Sequence, residues 1–262
     1  MTTQAGTLLG QLVQELASGS IKVLDLTSPL NEQTPILELP PQFGQTWRFS
    51  KEIISRYDDK GPAWMWWNIK TGEHTGTHFD APVHWVTGKD LPNNTVETMP
   101  AKMFIGPACV LNMEKECAAN ADYLVTVADI ERWEGEHGRI PAGAIVCLRS
   151  GWAKYMGTPK YTNVDDQGGH TPGWEPATSK FLAVERDVLG VGVETVGSDA
   201  GCAGGFDPPF SNHNYMHGNG KIGLTSLINL DQLPPTGAVI IAPPLKITEG
   251  SGSPVRVIAL VA

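Results

Sequence analysis

No apolar run in this sequence is long enough to cross a bilayer, and no N-terminal segment reads as a secretory signal. The expectation is a cytoplasmic protein with no membrane partner. A surplus of positive charge is missing too: 19 Lys and Arg stand against 28 Asp and Glu, a formal net charge of −9. A chain of that sign is repelled by nucleic-acid phosphates and anionic lipid, so neither is expected as a partner. Cysteine is scarce. Cys109, Cys117, Cys147 and Cys202 show no CxxC spacing, and fit reduced, mostly buried thiols. No internal repeat and no linker is visible, so residues 1–262 are read as a single domain with ample core. Glycine (29) and proline (20) are instead plentiful, which predicts many turns between short elements.

Between those turns the pattern is mixed. Leu8, Leu9, Leu12, Val13 and Leu16 recur at helical spacing, with Gly19 as a stop. Thr126 followed by Asp129, Ile130 and Trp133 predicts an N-capped helix. Residues 177–188 suit another. Short apolar runs at 23–26, 144–148, 191–196, 238–242 and 255–261 read as strands. Residues 31–66, rich in proline and aromatics, read as a long structured loop.

Three of the seven histidines fall in residues 74–85, which read His-Thr-Gly-Thr-His-Phe-Asp-Ala-Pro-Val-His-Trp. Imidazole and carboxylate together make the usual nitrogen/oxygen nest for a catalytic divalent metal. On a helix His74 and His78 would share a face, but Asp80 would not, and Thr75, Gly76 and Thr77 are poor helix formers. On a strand His74, His78, Asp80 and His84 all face one way. A straight strand would spread them over about 30 Å at roughly 3.3 Å per residue, too far for one ion. The chain must bend, and Gly76 and Pro82 are where it can. The prediction is a strand end and loop that curls His74, His78 and Asp80 around one divalent metal, manganese or zinc, with His84 just beyond. The bland alternative is a polar loop whose histidines cap nearby backbone groups.

The pattern His-x-Gly-Thr-His-x-Asp-Ala-Pro-x-His resembles the signature of the metal-dependent cyclase family, which includes bacterial kynurenine formamidases and isatin hydrolases. Every fixed position matches, from His74 to His84. The resemblance extends to Val23-Leu-Asp-Leu-Thr-Ser-Pro29, Gly192-Val-Glu-Thr-Val-Gly-Ser-Asp199, Asn229-Leu-Asp-Gln-Leu-Pro234 and Pro243-Pro-Leu-Lys-Ile-Thr-Glu-Gly-Ser-Gly-Ser-Pro254, nearly the whole chain. It implies an α+β fold: a mixed, central barrel-like sheet with flanking helices, of the swivelling β/β/α type. It also implies homo-oligomers in which an N-terminal loop can reach a neighbouring active site.

His213 and His217 lie in Ser211-Asn-His-Asn-Tyr-Met-His-Gly218, rich in loop formers. By the resemblance His213 takes the place of an active-site histidine, with His217 a second candidate. Twelve residues past His213, where dinuclear members place a bridging glutamate, this chain has Thr225. A threonine hydroxyl is a weak, neutral ligand, so one metal is expected rather than two. Asp199 reads either as support for a metal-bound histidine or as a turn aspartate. His137 and His170 are assigned no chemistry. Phe43, Trp47, Phe49, Trp64, Trp66 and Trp67 precede the motif and Trp85 follows it. Core packing accounts for some of these. The other reading is an aromatic-walled pocket for a small substrate, lined by Phe43, Trp47, Trp64, Trp66 and Trp85, with His217 and Thr225.

The expected activity is metal-dependent hydrolysis of an amide or lactam C–N bond, with His84 as general base and His213 assisting. The resemblance favours isatin-like cyclic amides or N-formyl anilines. Two rivals remain at this stage. His78-x-Asp80 with His213 also spells the two-histidine, one-carboxylate triad of non-haem iron oxygenases. Thr225 leaves room for a non-catalytic metal- or ligand-binding protein. The aromatic segment 31–66 and the resemblance together predict a homodimer or larger homo-oligomer.

Overall fold

In the computed structural model, which describes residues 6–262, the chain opens on helix α1 (Leu8–Ser18) and strand β1 (Lys22–Asp25). A hairpin of β2 (Ser50–Asp58) against β3 (Gly61–Lys70) follows. Eight strands then join β1 in one sheet: β4 (His78–Asp80), β5 (Ile105–Asn112), β6 (Ile145–Arg149), β7 (Gly190–Val193), β8 (Ile222–Thr225), β9 (Val239–Ile241), β10 (Gly252–Pro254) and β11 (Ile258–Val261). Their order is β1-β11-β9-β5-β6-β7-β8-β4-β10. Strands β5 to β8 are parallel, and both flanks are antiparallel. The sheet curls into a half-barrel. Thr27, just past β1, bridges Leu227, just past β8, and Ile228 N–H donates to the Leu26 carbonyl at 3.1 Å.

Parallel strands bury both faces, and β6 reads accordingly as an unbroken apolar run. Ile145 and Cys147 point into one cluster with Phe79, Leu224 and Ile240, while Val146 and Leu148 point into another with Ile130, Trp174 and Leu182. The helices α2 (Glu114–Ala119), α3 (Val127–His137), α4 (Pro176–Lys180) and α5 (Ser211–Gly218) flank this sheet. The predicted cap of α3 is realised in both directions: Thr126 Oγ1 accepts from Asp129 N–H, and Asp129 Oδ2 accepts from Thr126 N–H at 2.9 Å. Gly19 ends α1 in the left-handed conformation, as its position suggested. Cys109, Cys117 and Cys147 are buried and free, and Cys202 is free and exposed. No helix among the described residues is long and apolar enough to cross a membrane.

Three expectations change. The 31–66 stretch is not all loop, because β2 and most of β3 fall in its second half. The prolines and aromatics of residues 31–49 obscured the strand-forming Lys51-Glu-Ile-Ile-Ser-Arg-Tyr57 beyond them. Residues 177–188 do not form one α-helix: α4 ends at Lys180 and a wider π turn covers Phe181–Glu185. Residues 211–218, read as a loop from their polarity, are helix α5.

Close approach of β7 and β8 depends on Gly190. A Cβ there would lie 2.2 Å from the backbone carbonyl oxygen of Ile222, which cannot swing aside. Gly190→Ala is therefore expected to lower the unfolding free energy by about 1–3 kcal/mol, the usual cost of overpacking a core. A urea midpoint equal to wild type would contradict the packing described.

Candidate active site

The bend required by the histidine spacing is made at Gly76, whose φ of 64° is left-handed. A Cβ at that residue would also strike Leu30. The turn returns its own carbonyl to the ring of His78, which donates Nδ1–H to Gly76 O at 2.8 Å. That bond puts a proton on Nδ1 and turns Nε2 toward Asp80 Oδ1 at 3.3 Å and the Thr225 hydroxyl at 3.0 Å. Strand β4 then lies between β8 and β10, with Asp80 in register with Gly223 on one side and Gly252 on the other. Both glycines make room. A Cβ on Gly223 would sit 2.7 Å from Asp80 Oδ2, and one on Gly252 would sit 2.7 Å from His74 Cε1. A single 3₁₀ turn, Pro82–His84, carries His84 back over His74, their rings stacked at 3.8 Å.

Helix α5 supplies the opposite wall. His213 and His217 are four apart and so share a face. Asp199 anchors the helix from outside: Oδ1 accepts from Asn212 N–H at 2.7 Å, and Oδ2 accepts from the backbone and ring Nδ1–H of His213. Of the two sequence readings of Asp199, support for a site histidine is the one its contacts match. His217 donates Nδ1–H to the Lys221 carbonyl at 3.1 Å, which leaves Nε2 bare.

The electrostatics converge on Asp80, which is almost completely buried. Burial opposes its ionisation, yet His78 and His74 hold its carboxyl well below the usual range. His74 Nδ1 lies 2.7 Å and His78 Nε2 3.3 Å from Asp80 Oδ1. Burial, reinforced by the neighbouring histidines, pushes His84 down to about 2 against the pull of Asp80. Burial and His213 together push His217 down to about 4. Burial disfavours a charge on His213 too, but the bond and charge of Asp199 leave it raised. Two buried atoms in this cavity, Asp80 Oδ2 and His217 Nε2, have no hydrogen-bond partner among the described residues. Two buried acceptors without a partner, grouped with other nitrogen and oxygen donors, fit a cation. His74, His78 and Asp80 are placed to hold one, and Asp80, His213 and His217 form a second possible group that shares the aspartate.

The structure thus brings together His74, His78, Asp80, His84, His213 and His217. Thr225 pairs with His78 across β8 and β4, its hydroxyl 2.8 Å from Nδ1, so it lies beneath a predicted ligand rather than in an open wall. Trp85 packs on His213 with ring centroids 4.8 Å apart. Phe43, Trp47, Trp64 and Trp66 are exposed on and beside the β2–β3 hairpin. Phe210 escaped the sequence reading. It stands edge-on to Trp85 at 5.6 Å, in a left-handed conformation unusual for a bulky residue. Nothing in its local sequence signals that placement.

Comparison with known proteins shows the family. A Cyclase model, described as putative cyclase, matches residues 24–200. The chain is 44% identical over 259 residues to the isatin hydrolase of Roseibium aggregatum, covering 98% of each. It is 25% identical over 242 residues to the kynurenine formamidase of Polaromonas naphthalenivorans, covering 92% of each. Isatin hydrolase A from Ralstonia solanacearum superposes with a TM-score of 0.97 at 48% identity, over 100% of both chains. The chain belongs to the putative cyclase family, among that family's hydrolases.

Proposed function

We propose that this protein hydrolyses the amide or lactam C–N bond of a small, flat, aromatic substrate of the isatin or N-formyl anilide class. The carrying observation is a buried carboxylate, Asp80, ringed by His74 and His78 and faced by a neutral His84. A divalent cation, manganese or zinc, held by His74, His78 and Asp80 would supply a Lewis acid that polarises the carbonyl and acidifies water. His84 is neutral and so can accept the proton of the attacking water. It then returns that proton to the departing nitrogen as the C–N bond breaks, leaving a carboxylate and an amine. His213, its Nδ1–H fixed by Asp199 and its charged form favoured by that carboxylate, can donate Nε2–H to the carbonyl or the new carboxylate. Trp85, against His213, covers one face of a planar substrate. The isatin hydrolase relatives support this substrate class. An iron-oxygenase reading would leave His74 and His84 idle beside Asp80, and a purely binding role would leave a neutral buried base unused.

The same reading extends to assembly. Phe43, Trp47, Trp64 and Trp66 are each about half exposed, at 57%, 59%, 49% and 55%. So many large apolar rings in one region mark an interaction surface. We infer a cytoplasmic homodimer or larger homo-oligomer in which this region meets a neighbouring copy near its substrate pocket.

Four outcomes are expected. Elemental analysis should find about one tightly held divalent ion per chain, as for a three-ligand open site; two ions that both survive dialysis would refute this. Asp80→Ala should abolish metal and activity together. His84→Ala should keep the metal and slow isatin turnover roughly 10²–10⁴-fold, and loss of the metal instead would make His84 a ligand. Light scattering should give at least twice the 28.2 kDa chain mass, with Trp47→Ala raising KM more than it weakens metal binding; a fully active monomer would overturn the shared-pocket reading.

A further inference from the structure

His74 has contacts on both ring nitrogens, and only one is explained by the metal reading. Nδ1 faces Asp80. Nε2 faces the hydroxyl of Ser251 at 2.9 Å, from a segment 177 residues away. Ser251 Oγ in turn donates to Glu73 Oε2 at 2.6 Å, and the Ser251 backbone N–H reaches the same oxygen at 3.3 Å. The Ser251 carbonyl accepts from Ala81 N–H at 2.9 Å, which ties the segment to the end of β4.

A serine hydroxyl carries one hydrogen, and an ionised carboxylate only accepts. With Glu73 beside it, the Ser251 hydrogen points to Glu73, and the Ser251 oxygen turns lone pairs toward His74. His74 can then donate Nε2–H to Ser251, which leaves Nδ1 as the nitrogen for a cation. Without a cation, Nδ1 can instead carry a proton to Asp80 Oδ1, 2.7 Å away. Glu73 and Ser251 therefore favour the ring form that a bound cation needs.

We propose that Ser251 and Glu73 are positioning residues that act as one unit, fixing the His74 tautomer and raising the protein's affinity for its divalent ion. This rests on the reading of His74 as a metal ligand. Loss of such outer partners typically costs 10–100-fold in metal affinity.

The test is Mn²⁺ binding to the full chain, followed by the electron paramagnetic resonance of the free ion. Ser251→Ala should weaken Mn²⁺ binding roughly 10–100-fold, while Ser251→Thr, which restores a hydroxyl, should stay close to wild type. Glu73→Ala should match Ser251→Ala, and the double variant should be no weaker than either single one, because both cut one chain of contacts. In the protein loaded with diamagnetic Zn²⁺, long-range ¹H–¹⁵N spectra should show His74 protonated on Nε2 in wild type, with that Nε2–H resonance shifted in Glu73→Ala. That readout is independent of activity. Wild-type Mn²⁺ affinity in Ser251→Ala, or strictly additive losses in the double variant, would overturn the proposal and leave the hydrolase reading standing. No binding of either Mn²⁺ or Zn²⁺ by the wild-type chain would overturn both. If Ser251→Ala does not fold, the Glu73→Ala and Ser251→Thr pair decides by the same criteria.

Discussion

The burial of one carboxylate governs this structure. Taking an ion such as Asp80 out of water costs several kcal/mol even after the protein relaxes. The side chain is nonetheless almost wholly inside and held in its charged form by His74 and His78. Imidazole contacts do not satisfy it, since Oδ2 has no partner among the described residues. A fold that keeps a charged, half-satisfied carboxylate among imidazoles is built around a cation, and the arrangement of strands and glycines follows from making room for one.

That room comes from subtraction. Asp80 and His74 occupy their places because Gly223 and Gly252, the register partners of Asp80 on either side, have no side chains. An antiparallel strand inserted at the margin of a parallel sheet brings residues from positions 74–84, 211–225 and 251–252 into contact. Curling of the sheet lets α5 stand over the same cavity. The carboxylate of Asp199 joins that wall to the loop after β7, by capping α5 and holding the His213 ring with the same two oxygens.

How much of this was legible depended on the range of the interaction. The α3 cap, the Gly19 stop and the Gly76 bend are local, and a few neighbouring residues specify each. The convergence of His74, His78 and Asp80 was legible because period-two parity and the need to bend leave few solutions for them. Helix α5 was not. Ser211, Asn212 and Asn214 favour loops by themselves, and the helix is held instead by Asp199, a distant cap that composition does not reveal. Phe210 and Ser251 were invisible for the same reason, since their contacts span long separations. The hairpin at 50–70 was missed because its neighbour 31–49 carries the loop signal, and the strands bury so little that their apolar alternation is weak.

Thr225 completes the charge argument. It sits directly against His78, where a second carboxylate would lie beside the strand that carries Asp80. Two buried anions so close would each raise the cost of ionising the other unless two cations lay between them. A neutral hydroxyl removes that requirement, which fits the single divalent ion proposed above. We propose that the chemistry then rests on His84, which burial on top of His74 keeps neutral. Burial thus has opposite effects on neighbours in one cavity: histidine contacts keep Asp80 charged in spite of it, and it keeps His84 uncharged, a pairing that suits one group to binding a cation and the other to taking a proton.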